Sequence, residues 1–327
     1  MKLNPYKEPQ HHSSIGIYPL LVTLLLLCLH FYTGALHWPA QGDVDAQRNF
    51  NSAIAMSSIT GYLWFSLRVL HQNVASSLIS LLVKTNQLGQ FSSHRERLAV
   101  EFKHHIFNAA FLALLVTFVY CAFENLLSIT QEVQVVILTA AAVPFWFFCF
   151  LFLFQVTSNT RYIIKQVLPD AQNEIDHLDA LVSLIKLGLT NAIFSMGAIA
   201  LLPIFWFKKD IPTIDVFILS LFTFSLALYL FWPVFKLIQQ FKQHKVRVLD
   251  SLNSKIATAI AGYNNQTEVQ VAYDLEQLEN QREAVEGVST RIINISDQTR
   301  LAACLSSIPL SWTLVKLLEW VVASPSY

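Results

Sequence analysis

Stretches of about 20 apolar residues, separated by charged intervals, set the strongest limit on what this chain can become, because that length crosses the hydrocarbon core of a bilayer. Hydrocarbon offers the backbone no water, so each stretch must close its hydrogen bonds internally and reads as a helix. On that rule the chain reads as seven spans: Ile15–His37, Ser52–Leu70, Ile106–Leu127, Val133–Val156, Gly188–Phe207, Thr213–Phe235 and Leu301–Val322. The second is the least hydrophobic, with Ser57, Ser58, Thr60 and Arg68. A composition of 54% hydrophobic and 13% charged residues, with a mean hydropathy of +0.46, agrees with a polytopic membrane protein. Lys2 and Lys7 before the apolar run Tyr18–Leu36 look like a signal peptide. That run is as long as a full span and no A-x-A-like site follows, so it is expected to be retained.

The formal net charge of zero hides a segregation. Placing the N-terminus inside assigns Lys2, Lys7, Arg68, Lys84, Arg95, Arg97, Lys103, Arg161, Lys165, Lys186, Lys236, Lys242 and the later basic residues up to Arg300 to the cytosolic side. The outside receives Arg48, Lys208 and Lys209. This bias predicts N-terminus in and C-terminus out. The basic residues follow membrane boundaries, so nucleic acid is not an expected partner and the lipid bilayer is. The localisation expected is a plasma or bacterial inner membrane. Cys28, Cys121, Cys149 and Cys304 all fall inside spans, act as small hydrophobes, and have neither metal-ligand nor disulfide spacing.

The outer loops are short, and the inner connections are long with helical apolar stripes. Val74, Leu78, Leu81 and Leu82 continue the second span. Ile175, Leu178, Leu181, Val182 and Ile185 lead into the fifth, and Leu237, Phe241, Val248, Leu252 and Ile256 extend the sixth past Trp232-Pro233. Each stripe needs a partner, which predicts a compact helical domain under the membrane. A stop is read at Pro169-Asp170, a turn at Gly262–Asn265, and a soluble helix over Thr267–Val288. The expected fold is all-α, with residues 1–14 a cytosolic tail, 15–235 a six-span bundle with helical extensions, 236–300 a cytosolic helical anchor, and 301–327 a terminal span with a short outer tail. Five residues follow that span, so the terminal helix is expected to be the useful part itself.

Catalytic patterns are absent: there is no P-loop, HExxH, nucleophile elbow or Gly-rich loop, so neither an enzyme nor a cofactor is expected. His104-His105 near Glu101 are adjacent on a helix and point to different faces, a poor metal site. His177 among Glu174, Asp176 and Asp179 reads as a solvated face, and His30 as a packed core histidine. Ionisable groups at bilayer depth are costly and carry more information. Glu124 lies one turn beyond Tyr120 at the outer end of the third span, either hydrated or part of a ligand site. With Thr60 and Phe217 these residues form the expected outer pocket for a small-molecule ligand. In the last span, Ala302, Ser306, Pro309, Thr313, Lys316 and Trp320 fall within one quadrant at 100° per residue, with Glu319 beside them. Such a face suits water, or a helix interface in which Lys316 and Glu319 pair at i,i+3. Pro144, Pro203, Pro233 and Pro309 each remove a backbone hydrogen bond within or at the end of a span.

The order of these parts resembles the insect odorant and gustatory receptor-like seven-helix ion channels. There a cytosolic N-terminus, inward helical extensions and a seventh helix split into soluble and pore-lining halves build a four-subunit channel. Thr267–Val288 is similar to the soluble half and Leu301–Val322 to the membrane half. The likeness is one of topology and helix length. The family's aromatic-rich signature near the end of the last helix is not present, and Lys316 opposes cation selectivity. The chain is also similar to uncharacterised bacterial multi-pass proteins with a Trp-Pro at a cytosolic exit and a Pro-containing final helix.

The resulting expectation is a homo-oligomeric, tetrameric ion channel. Ser306, Pro309, Thr313, Lys316 and Trp320 would line its pore and Glu319 would form a ring at the outer mouth. Two rivals stand beside it. A scaffold would dock partners on the acidic helix Asp274–Glu286. A secondary transporter would show paired halves or charged mid-membrane segments, and neither is found.

Overall fold

The computed structural model describes residues 5–6, 15–40, 42–84, 87–126, 132–167, 174–209, 213–261, 268–288 and 295–323. In chain order these form α1 (Ile17–Tyr32), α2 (Val44–Lys84), α3 (Phe91–Phe123), α4 (Val133–Gln166), α5 (Glu174–Ala200), α6 (Thr213–Ala261), α7 (Glu268–Val288) and α8 (Ile295–Ala323). Short 3₁₀ turns lie at Leu88–Gln90 and Leu202–Trp206. Among the described residues the regular secondary structure is all helical, with no strand. Four helical stretches, Val44–Lys84, Leu88–Phe123, Val133–Gln166 and Asp176–Trp206, are long and apolar enough to cross a membrane, by length and composition. α1 is a shorter apolar helix. The turn read at Gly262–Asn265 and the stop at Pro169-Asp170 lie outside the described residues.

Local chemistry explains most boundaries. α1 ends sooner than the apolar run, because Gly34 takes a positive φ of 88° and turns the chain over Thr33–Leu36. α2 starts before its apolar run because the Asp43 side chain accepts the Ala46 N–H at 2.9 Å and caps the first turn. α3 ends at Phe123, and Glu124 closes it by donating its N–H to Tyr120 O at 3.0 Å. Pro144, Pro233 and Pro309 sit within continuous helices. Pro203 instead lies in the 3₁₀ turn that ends α5.

At 1.5 Å per residue, the 41 residues of α2 and 49 of α6 rise about 60 and 75 Å, twice a hydrocarbon core of about 30 Å. The excess length builds one core. Leu78, Leu81 and Leu82 of α2, Leu98 of α3, Ile163 of α4, Leu178, Leu181, Leu184 and Ile185 of α5, and Phe241 of α6 are its most completely buried large side chains. Val285 and Val288 of α7 join it. These are the apolar stripes of the helical extensions, which partner one another within a single chain.

In the apolar halves the contacts are made by small side chains. Ala109, Ala113 and Thr117 of α3 are buried, as are Ala141 and Ala142 of α4, in a pair of helices that packs closely. Lipid tails give no hydrophobic drive between helices, so close approach of backbones supplies the attraction. Two glycines mark the tightest points. A Cβ at Gly61 would collide with the Thr23 hydroxyl of α1, and one at Gly197 of α5 with the Tyr62 hydroxyl of α2. Tyr62 uses that hydroxyl to donate to Phe194 O at 2.9 Å, holding α2 to α5.

Candidate functional site

α8 is attached to the bundle along one stripe. Cys304 Sγ donates to Ile193 O at 3.3 Å, the Trp312 ring lies 6.1 Å from Trp206, Val315 is buried, and Glu319 Oε1 accepts the Lys208 N–H at 2.7 Å. Spacings of three and four residues put these on one side of the helix. Ser306, Pro309, Thr313, Lys316 and Trp320 lie on the rest of the surface and are all exposed. Ser306 donates to Ala303 O at 2.9 Å and Thr313 to Leu310 O at 2.8 Å, so both hydroxyls are satisfied on their own helix. Leu305, Leu310, Leu314 and Leu317 are exposed beside them, so the uncovered flank is mixed rather than purely polar.

Lys316 and Glu319 form the i,i+3 pair at 2.7 Å. The carboxylate also takes the Lys208 N–H, and its side chain is 17% exposed. The Lys208 ammonium stands 4.8 Å from the centre of the Trp38 ring. Glu319 is therefore a fastening between α8 and the segment that follows the 3₁₀ turn after α5, its charge locally neutralised. Asn51 and Gln47 of α2 reinforce the same segment through the carbonyl of Phe207, at 2.7 and 3.3 Å.

The four residues read as an outer ligand pocket are placed apart in character. Thr60 is fully buried in α2, while Tyr120 and Glu124 are exposed at the end of α3 and Phe217 is 68% exposed on α6. Among the described residues Tyr120 and Glu124 share the helix-closing backbone hydrogen bond, and no side-chain hydrogen bond or ring contact joins the four. His30 is completely buried, His104 is exposed, and the His177 ring lies 4.4 Å from that of His244.

The densest polar chemistry lies at the other end of the bundle, at residues of which the sequence singled out His105 alone. Gln155 and Asn159, one turn apart on α4, are each 1% exposed. The single proton of the Tyr6 hydroxyl lies between Gln155 Oε1 at 2.9 Å and Asn159 Oδ1 at 2.8 Å. His71 Nε2 is 3.1 Å from the same Gln155 oxygen, so the imidazole donates. Gln155 Nε2 donates in turn to His105 Nδ1 at 2.8 Å, which makes His105 a neutral acceptor. Tyr6 packs edge-on against His71 with centroids 5.0 Å apart, and His71 against Phe102 at 4.9 Å. Burial pushes the Tyr6 phenol well above its ordinary range, so it remains a neutral donor. A residue of the N-terminal tail is thus seated in the core on a network of four side chains from three helices. The one legible signal was the pair of amides at i,i+4, Gln155 and Asn159, following a phenylalanine-rich run; nothing local marked Tyr6.

Next to this network is a cavity of about 380 Å³. Trp64, Arg68 and His71 of α2, Ile106 of α3, Phe147 and Phe148 of α4, and Pro5 line it. Trp64 stacks on Phe148 with centroids 5.5 Å apart. Arg68 donates to Ile15 O at 3.0 Å and lies over the Tyr18 ring at 5.3 Å, tying the start of α1 to α2.

Compared with protein-family models, curated proteins and solved structures, the chain matches none.

Proposed function

We propose that this chain is a seven-pass membrane protein, N-terminus inside, that assembles with copies of itself as a tetramer and conducts ions beside α8. The observation that carries the reading is the attachment of α8 along a single stripe, which leaves Ser306, Pro309, Thr313 and Lys316 uncovered on the protomer. A helix with that flank needs either water or a neighbouring copy against it, and a ring of copies supplies both. Two further features support the topology. Trp38, Lys208 and Glu319 gather at one end of the bundle, while Tyr6, His71 and the Lys84–Asp179 ion pair gather at the other. The order of a soluble α7 followed by α8 is the feature similar to the insect odorant and gustatory receptor-like channels. Because Glu319 is neutralised by Lys316 and bound to Lys208, selectivity would come from the hydroxyls and the pore width rather than from an acidic ring.

The test is oxidative cross-linking of Thr313→Cys in membranes combined with bilayer recording. The proposal expects covalent dimers and a conductance blocked by thiol reagents at that position. Monomer alone, or no conductance from reconstituted protein, would refute it.

A second reading is favoured by α7. Leu278, Val285 and Val288 pack it inward while Glu276, Glu279, Glu283 and Glu286 stay exposed, which suits docking of a basic partner. Under that reading changes on α8 leave function untouched and reversal of the α7 carboxylates abolishes it.

A further inference from the structure

α2 and α3 both lie along α4 but scarcely touch each other. The gap between them is the cavity of about 380 Å³, with Phe147 and Phe148 on its floor, Trp64 on one wall and Ile106 on the other. Its lining is apolar except for Arg68 and His71, one turn apart on α2. A volume within about 300–1,000 Å³, apolar walls and a few polar groups are what a small-molecule site offers.

The position along α2 specifies the chemistry of the occupant. The apolar run Ser52–Leu70 ends two residues past Arg68, so a guanidinium at that height lies at the level of lipid phosphates. Trp64 is one turn deeper, about 6 Å, at the level of the first chain methylenes. Arginine presents planar donors that match a phosphate, and basic groups between membrane helices on the tail's side attract anionic headgroups. A soluble anion would meet apolar walls on every other side.

We infer that the groove between α2 and α3 binds one acyl chain of an anionic phospholipid from the leaflet on the side of the N-terminal tail, with its headgroup on Arg68. The inference rests on the reading of α2, α3 and α4 as membrane-crossing helices and is independent of conduction. Trp64 is its built-in reporter, since a brominated chain in the groove lies against the indole.

The experiment reconstitutes full-length protein in vesicles of brominated phosphatidylglycerol or brominated phosphatidylcholine mixed into unbrominated phosphatidylcholine. The Trp64 component is obtained by subtracting the fluorescence of Trp64→Phe, which cancels the other six tryptophans of the seven. Half-maximal quenching of Trp64 is expected at about fivefold less brominated phosphatidylglycerol than phosphatidylcholine, the worth of one basic residue at an anionic surface. Arg68→Gln should erase that preference, and inorganic phosphate should leave it intact. Because Arg68 also holds Ile15, Ile106→Phe provides a second variant: it narrows the groove and should reduce Trp64 quenching by both lipids. Equal quenching by the two lipids, unchanged by Arg68→Gln and Ile106→Phe, overturns the site while leaving the membrane topology standing. Protein that does not float with the vesicles overturns both.

Discussion

Replacing Tyr6 by Phe removes one oxygen from the interior and leaves the ring in place against His71. In the native protein that hydroxyl serves Gln155 Oε1 and Asn159 Oδ1, each within 2.9 Å. Gln155 keeps donors from His71 and from Asn159 Nδ2, the latter at 3.3 Å, so its oxygen stays satisfied. Asn159 Oδ1 loses the Tyr6 donor in a residue 1% exposed to solvent. An orphaned buried acceptor costs about 1–3 kcal/mol, whereas the same change at a solvated site would cost almost nothing. Because Tyr6 sits in the tail, the whole cost falls on docking of the N-terminal segment and not on the helical core, which its neighbours hold independently. The population of undocked tail should then rise between about fivefold and a hundredfold, and tryptic cleavage after Lys7 should rise by the same factor when cleavage is slow relative to re-docking. Adding Asn159→Leu in the Tyr6→Phe background removes the stranded acceptor and should recover part of the protection, giving a coupling that a double-mutant cycle reads directly. Cleavage after Lys7 at an unchanged rate in Tyr6→Phe would refute the idea that the network seats the tail.

Two other outcomes follow from the packing. Gly197→Ala places a Cβ against the Tyr62 hydroxyl, so it should lower the thermal midpoint in detergent by an amount corresponding to about 1–3 kcal/mol, and Tyr62→Leu should relieve most of it. Lys84→Ala breaks the 3.3 Å ion pair with Asp179, but both side chains are more than one-third exposed, so stability should fall by less than about 1 kcal/mol, and by still less at high salt.

The helical character of these stretches was legible because it depends on neighbours in sequence, while end points such as those of α1, α2 and α5 moved by several residues under local caps and turns. The continuation of α6 through Pro233 and the spacing of Leu78, Leu81 and Leu82 come from a period of 3.6 residues, whereas the third span was read on to Leu127 and α3 stops at Phe123. The face of α8 carrying Ser306, Thr313 and Lys316 was legible for the same reason. That Glu319 points away from it, to the Lys208 backbone 111 residues earlier, was not, since a carboxylate on a helix edge has partners on either side.

The segregation of apolar and charged stretches dictates that the chain is helical and sized for a bilayer, because each peptide group in hydrocarbon must be satisfied within a few residues of itself. Side-chain polar groups obey no such short range. Tyr6 meets Gln155 across 149 residues, and Gly197 is a glycine because Tyr62 passes over it. Those pairings arise when three-dimensional packing brings distant turns within 3 Å, and they select where the tail is seated and how closely α2 and α5 approach.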